Sequence, residues 1–225
     1  MLPLETLKAN LAEVERRIVE ACARAGRSRE SVQLVAVTKR HPPELVKAAW
    51  ELGLRHFGEN YAQELRDKHE ALSTQAGIRW HAIGPVQPKN AKYVAKAAHV
   101  FHALERLEVA QELSRRRTGA PLPCFIEVNV AGEASKAGLE ASALGAFIAQ
   151  VKALPNLEVA GLMCMPPLED DPEASRPAFK QLARLAKELG LPGLSMGTTG
   201  DFEVAIEEGA THVRVGTALF GARSP

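Results

Sequence analysis

Leu4, Leu7, Leu11, Val14 and Ile18 recur at spacings of three and four, with charged positions between them. This spacing predicts an amphipathic helix over 4–25, stopped at Gly26. Beyond it the hydrophobic period switches repeatedly. Short apolar runs predict strands at 32–37, 55–58, 79–83, 99–103, 124–130, 159–164, 193–196 and 212–215. Longer segments with helical spacing fill the gaps at 43–52, 61–72, 88–97, 107–117, 141–154, 172–189 and 202–208. Eight strands alternating with seven helices predict a parallel sheet covered by helices. Eight such units point to a closed (β/α)8 TIM-type barrel with an additional N-terminal helix. A doubly wound open sheet is the competing arrangement. After the eighth strand about ten residues remain, too few for a full last helix. The extra N-terminal helix is expected to cover that gap. No Gly/Ser linker or short-period repeat divides the chain, so residues 1–225 read as a single barrel domain. The polar, proline-rich stretch 166–175 reads as a surface loop.

Composition narrows the class. The 225 residues carry a formal charge of +1, which argues against a dedicated nucleic-acid binder. No apolar run is long enough to span a membrane, and the first residues lack the pattern of a secretory signal. Cys22, Cys124 and Cys164 are odd in number, far apart and outside any CxxC pair. They read as buried structural thiols of a reduced, cytoplasmic protein.

In a (β/α)8 barrel the side chains at the carboxyl ends of the strands form the site. Lys39 follows the apolar run LVAV, so its stem is expected to start in a low-dielectric mouth. Desolvation there lowers an amine's pKa, and a neutral amine can attack an aldehyde. A surface lysine whose tip reaches water is the alternative. After the seventh strand, Gly197-Thr198-Thr199-Gly200 offers backbone donors and hydroxyls just ahead of a helix. Gly216-Thr217 adds a second donor-rich turn after the eighth strand. Barrels hold phosphate between these two loops, where helix N-termini favour anions. A plain tight turn, with Asp201 as the helix cap, is the alternative. Arg214 lies two residues before Gly216 and faces inward. It is either a structural ion pair or a ligand contact. An aldehyde-reactive amine, a phosphate site and an inward arginine together suggest pyridoxal 5′-phosphate. Lys39 would meet the aldehyde, the two turns the phosphate, Arg214 the ring nitrogen and Asn60 the ring face or phenolic oxygen.

At these residues the sequence resembles the pyridoxal phosphate homeostasis protein family, single-domain relatives of the alanine racemase barrel. The matching segments are VAVTK (35–39), HFGENYAQEL (56–65), WHAIGPVQPKN (80–90), EVNVAGEASKAGL (127–139), GLMCMPP (161–167) and LSMGTTGDFEVAIEEGATHVRVGTALFGAR (194–223). They span nearly the whole chain, in order. The resemblance implies a Schiff-base lysine at Lys39. It implies a phosphate site on Ser195, Gly197, Thr199, Gly216 and Thr217, a ring-nitrogen arginine at Arg214 and a ring-side asparagine at Asn60. The family usually reads Ser-Met-Gly-Met-Ser, whereas this chain has Thr198 for the methionine and Thr199 for the second serine. Thr199 keeps the hydroxyl. Thr198 either adds a cofactor contact or faces elsewhere.

Alanine racemases resemble this barrel but add a β-rich domain, and a tyrosine from the partner subunit serves as second acid/base. This chain ends at Pro225 and holds only Tyr61 and Tyr93. An arginine at the ring nitrogen also leaves that nitrogen uncharged and the ring a poorer electron sink. The expected function is therefore cofactor holding and delivery in vitamin B6 homeostasis. A weak racemase-like enzyme is the alternative, and an aldolase acting on a phosphorylated sugar is a third reading. The partners implied are the cofactor and, transiently, apo-enzymes that need it, with no nucleic acid and no membrane. A monomer or weak dimer is expected. Glu133 and Lys136 are expected near the mouth, where Lys136 would accept cofactor during release. His81 reads as a hydrogen-bonded core or rim histidine. His41, His69, His99 and His102 show no ligand-like pairing. Met163–Met165 reads as barrel packing and a turn.

Overall fold

The computed structural model describes residues 2–130, 137–167 and 169–221. Glu133 and Lys136 lie outside them. Among the described residues, eight parallel strands close into a barrel: β1 (Gln33–Val37), β2 (His56–Glu59), β3 (Arg79–Ala82), β4 (Val100–Leu104), β5 (Leu122–Glu127), β6 (Leu157–Met163), β7 (Gly193–Thr198) and β8 (His212–Val215). β8 pairs with β1 through Leu34↔Val213 and Val35↔Arg214, which closes the ring. Parallel neighbours need a crossover of a dozen or more residues. The intervening helices supply it: α2 (Pro43–Glu51), α3 (Ala62–Ala71), α4 (Ala91–Ala97), α5 (Leu107–Arg116), α6 (Leu144–Lys152), α7 (Arg176–Glu188) and α8 (Phe202–Glu207). The eighth strand is followed by a single turn, α9 (Thr217–Phe220).

α1 (Leu4–Arg24) packs against α8 and α9, beside the eighth strand, where the sequence expects it. It buries Leu7, Val14, Ile18, Ala21 and Cys22. Polar contacts fix its position against α8 and α9. Asn10 Nδ2 donates to the Leu219 carbonyl at 2.9 Å. Arg17 pairs with Glu203 at 2.5 Å, and Arg24 with Glu207 at 2.7 Å.

The strands differ from the expected bounds for physical reasons. β5 starts at Leu122, two residues before the apolar run, because Pro123 masks the pattern while sitting inside the strand. It also stops at Glu127 instead of Val130. Beyond that point the chain turns to a new partner: Val128 bridges to Leu139, and Asn129 N–H donates to the Leu139 carbonyl at 3.0 Å. β7 runs on to Thr198, two residues past the expected end.

The interior of the barrel is unusual. Such interiors are commonly filled by Val, Ile and Leu. Here His81 and His102 are fully buried, and His212 and Phe125 pack against them. His102 stacks on Phe125 with ring centroids 4.8 Å apart. All three cysteines are buried and free, in keeping with structural thiols. No described helix is long and apolar enough to cross a membrane.

Candidate functional site

A cavity of about 460 Å³ opens at the carboxyl ends of the strands. That volume falls within the usual range for small-ligand sites. Lys39 and His41 line it from the loop after β1, and Asn60 from the loop after β2. Gly197, Thr198, Thr199, Gly200 and Asp201 line it from the β7 side, with Arg214, Gly216 and Thr217 from β8 and its turn. Eight of the nine residues singled out in the sequence thus converge on one space.

The ninth, Ser195, is placed differently. It is fully buried and absent from the lining. Its hydroxyl lies 2.5 Å from Arg214 Nη1 and 2.7 Å from His102 Nδ1. Ser195 sits one layer below the mouth, opposite Met163 on β6 and His212 on β8. There its hydroxyl supports the guanidinium.

Arg214 itself is only 4 % exposed. Its Nη2 donates to the Cys164 carbonyl at 3.1 Å and meets Met165 Sδ at 3.2 Å. Burial draws its pKa down, yet an arginine keeps its charge in proteins. Three of its five N–H donors are held by these contacts, which aims a fixed cation into the cavity. Met165 is therefore more than barrel packing. It lines the cavity and touches the arginine.

The two loops on the far side form a donor-rich cradle. The backbone N–H groups of Gly216 and Ala218 both point at Thr199 Oγ1, at 3.2 and 3.5 Å. Donors converging on one oxygen are the arrangement an oxyanion also uses. Thr198 settles into the turn itself. Its N–H and hydroxyl both reach Asp201 Oδ1, at 2.7 and 3.2 Å. Asp201 stands at the start of α8 but makes no capping bond to that helix. Its other oxygen accepts from Ser175 at 2.8 Å, so this carboxylate braces the loop. Gly197 has φ +90°, and a Cβ there would stand 2.5 Å from that of Ala205. Only glycine lets the loop pass this close to α8. Gly84 does the same for Asn60, whose carbonyl would lie 2.5 Å from an added Cβ.

Lys39 is half-buried, at the lip of β1. The backbone around it is braced from α3 by a cluster the sequence did not reveal. Lys68 Nζ donates to the Thr38 carbonyl at 2.6 Å, Glu59 Oε1 at 2.7 Å and Glu64 Oε1 at 2.8 Å. Thr38 Oγ1 donates to the same Glu59 oxygen at 2.5 Å. Arg40, with φ +62°, donates its N–H to Glu64 at 2.6 Å. The residues on both sides of Lys39 are thus tied down. Burial pushes the Glu59 carboxyl up to about 7, although the Lys68 ammonium pulls it down. Glu127, at the end of β5, is likewise pushed up to about 7 by burial and by Glu105, against the pull of Arg214. In sequence, Glu64 and Lys68 look like an ordinary exposed i,i+4 pair, so no signal pointed to the cluster.

Known proteins resemble this chain along nearly its whole length. The family model for alanine racemase, N-terminal domain, matches residues 4–224. The pyridoxal phosphate homeostasis protein of Pseudomonas aeruginosa is 44% identical, over 98% of this chain and 97% of its own length. That of Aquifex aeolicus is 42% identical, over 95% of this chain and 96% of its own. Among solved structures, PipY of Synechococcus elongatus with PLP bound is 32% identical, with a TM-score of 0.80 over 91% of this chain and all of that one. The chain belongs to the alanine racemase N-terminal domain family and, within it, to the pyridoxal phosphate homeostasis proteins.

Proposed function

We propose that this protein holds pyridoxal 5′-phosphate as a Schiff base on Lys39 and acts in the cell as a reserve and donor of the cofactor. The observation that carries the reading is the convergence on one cavity of an amine, a permanent cation and a cradle of backbone donors. These groups suit the ligand's three chemical features, and the space is ample for it. Lys39 Nζ takes the aldehyde. The Thr199, Gly216 and Thr217 turns face the phosphate, and Arg214 donates to the ring nitrogen. Asn60, backed by Gly84, faces the ring. Pyridoxal phosphate bound in the solved PipY supports the choice of ligand. When bound, the cofactor supplies an electrophilic aldehyde and an electron-accepting ring.

The residues favour holding over turnover. A guanidinium cannot give its proton to the ring nitrogen, which weakens the ring as an electron sink. Neither tyrosine of the chain lines the cavity. Delivery to apo-enzymes that require the cofactor completes the role.

Protein incubated with pyridoxal phosphate and treated with borohydride is expected to carry one reduced adduct, mapping to Lys39. Lys39→Ala should remove both the adduct and the visible absorbance while leaving the melting temperature of the free protein nearly unchanged. An adduct on another lysine, or none, refutes the assignment. Amino-acid racemisation by loaded protein at ordinary enzyme rates, ~1–10³ per second, would replace the donor reading with the racemase one.

A further inference from the structure

A single hydrogen-bonded line descends through the barrel interior from the arginine at the site. Arg214 Nη1 lies 2.5 Å from Ser195 Oγ, which lies 2.7 Å from His102 Nδ1. His102 Nε2 is 2.8 Å from His81 Nδ1, and His81 Nε2 is 2.9 Å from His56 Nδ1. Five strands contribute, since His56 is on β2, His81 on β3, His102 on β4, Ser195 on β7 and Arg214 on β8. Ser195, His102 and His81 are fully buried, and His56 at the base of the barrel is half-buried.

We propose that this line is a positioning relay, which fixes the Ser195 hydroxyl and through it the guanidinium that meets the ring nitrogen of the bound cofactor. The proposal rests on the ligand assignment above for its functional consequence, but not for its geometry.

The direction of the line follows from counting protons. A guanidinium only donates, so Ser195 Oγ accepts from Arg214. The hydroxyl has one proton, and His102 Nδ1 is its other neighbour. Ser195 therefore donates to His102. That makes Nδ1 the acceptor and leaves the His102 proton on Nε2, aimed at His81 Nδ1. The same step repeats, so His81 carries its proton on Nε2 and donates to His56 Nδ1. In the opposite direction Ser195 would receive two donors and its own proton would be left buried without an acceptor.

Two features hold the line in place. The stack of His102 on Phe125, 15° from parallel, fixes the ring plane. Burial also keeps these rings neutral, drawing the pKa values of His81 and His102 well below the ordinary histidine value. A hydroxyl that donates becomes a better acceptor, and aligned bonds polarise one another. Each imidazole thus strengthens the hold of Ser195 on Arg214. The ring nitrogen consequently meets a donor fixed in one place, without a carboxylate partner to protonate it.

The relay is tested first in cofactor-free protein labelled with 15N-histidine. Long-range NMR correlations should show His102 and His81 neutral, with the proton on Nε2. A proton on Nδ1 in either ring, or a charged ring, overturns the proposal. The second arm uses pyridoxal phosphate labelled with 15N in the ring. His102→Phe keeps the stack on Phe125 but removes the acceptor. It should weaken cofactor binding about tenfold, the loss of one buried hydrogen bond, and move the ring-nitrogen resonance. His102→Asn offers an amide oxygen near the position of Nδ1, so it should restore the resonance. An unchanged resonance in His102→Phe, or equal damage from both variants, overturns the relay. A wild-type protein that takes up no cofactor would refute the ligand assignment instead, and the tautomers would still decide the relay.

Discussion

Lys68→Met is expected to destabilise the fold by about 3 kcal/mol at pH 8 and by clearly less at pH 6, measured as urea-unfolding free energies. Lys68 Nζ is buried, with a side chain 4% exposed beside a Glu59 side chain at 0%. Removing one member of a buried pair leaves an uncompensated charge, which costs about 3–5 kcal/mol. The low end applies because Glu59 has an escape. Its carboxyl already sits near 7, so without the ammonium it takes up a proton. Protonation is easier at pH 6 than at pH 8, and the penalty shrinks accordingly. Adding Glu59→Gln to Lys68→Met removes the orphaned charge and should recover most of the loss, a coupling that a double-mutant cycle measures. A penalty below about 1 kcal/mol that does not change with pH would mean that the cluster is solvated and unimportant. The consequence reaches the site, because Lys68 grips the Thr38 carbonyl beside Lys39. Adduct formation with pyridoxal phosphate should slow in Lys68→Met even where the protein remains folded.

The barrel was legible in the sequence because its signal is one of order. Apolar runs and helical periods alternate eight times, and few folds accept that series. Lys39, Asn60, Arg214 and the two glycine–threonine turns were legible for the same reason, since each follows a strand and the topology gathers strand ends at one mouth. Depth along a strand was not legible. Ser195 and Gly197 are both small residues near the end of β7, yet Ser195 lies a layer below the mouth while Gly197 lines it. The histidine interior was hidden more completely. His81 reads as a plausible core residue, but His56, His81 and His102 lie on separate strands, and only the closed barrel brings their rings together. A polar residue in a strand also weakens the apolar pattern by which strands are recognised. Lys68 shows the converse problem. On a helix rich in charge it looks solvated, and only the packing of α3 against the β1 and β2 ends buries it. Of the two threonines that depart from the family's usual pattern, Thr199 keeps its hydroxyl against the backbone N–H groups of Gly216 and Ala218. Thr198 turns its hydroxyl to Asp201 instead.

Acidification from pH 7 toward pH 5 should destabilise the protein steeply, because its core contains histidines that cannot charge while folded. His56, His99 and His212 are drawn down from 6.5 to about 4, chiefly by burial, and His81 and His102 fall well below 6.5 for the same reason. Each binds a proton in the unfolded chain but not in the native one, so each contributes stability that is lost as pH falls below 6.5. Glu59 and Glu127 act in the opposite sense. Their carboxyls rise from 4.5 to about 7, so their contribution is present in acid and fades as pH rises through 7. Counting the three most buried histidines fully, and the solvent-screened His56 and His99 as about one between them, leaves about two protons taken up on unfolding near pH 5.5 once the glutamates are subtracted. At about 1.4 kcal/mol per proton and pH unit, the unfolding free energy should fall by about 2.7 kcal/mol per unit. Near pH 7 the opposing contributions balance, which places the stability maximum there. Urea titrations at half-unit intervals between pH 5 and 8 would measure the slope, and a flat profile below pH 6.5 would mean that these rings charge while the barrel stays folded. His102→Phe provides the sharper check. It removes one histidine that protonates only on unfolding, so the acid limb should flatten by about 1.4 kcal/mol per pH unit, whatever the variant does to stability at pH 7.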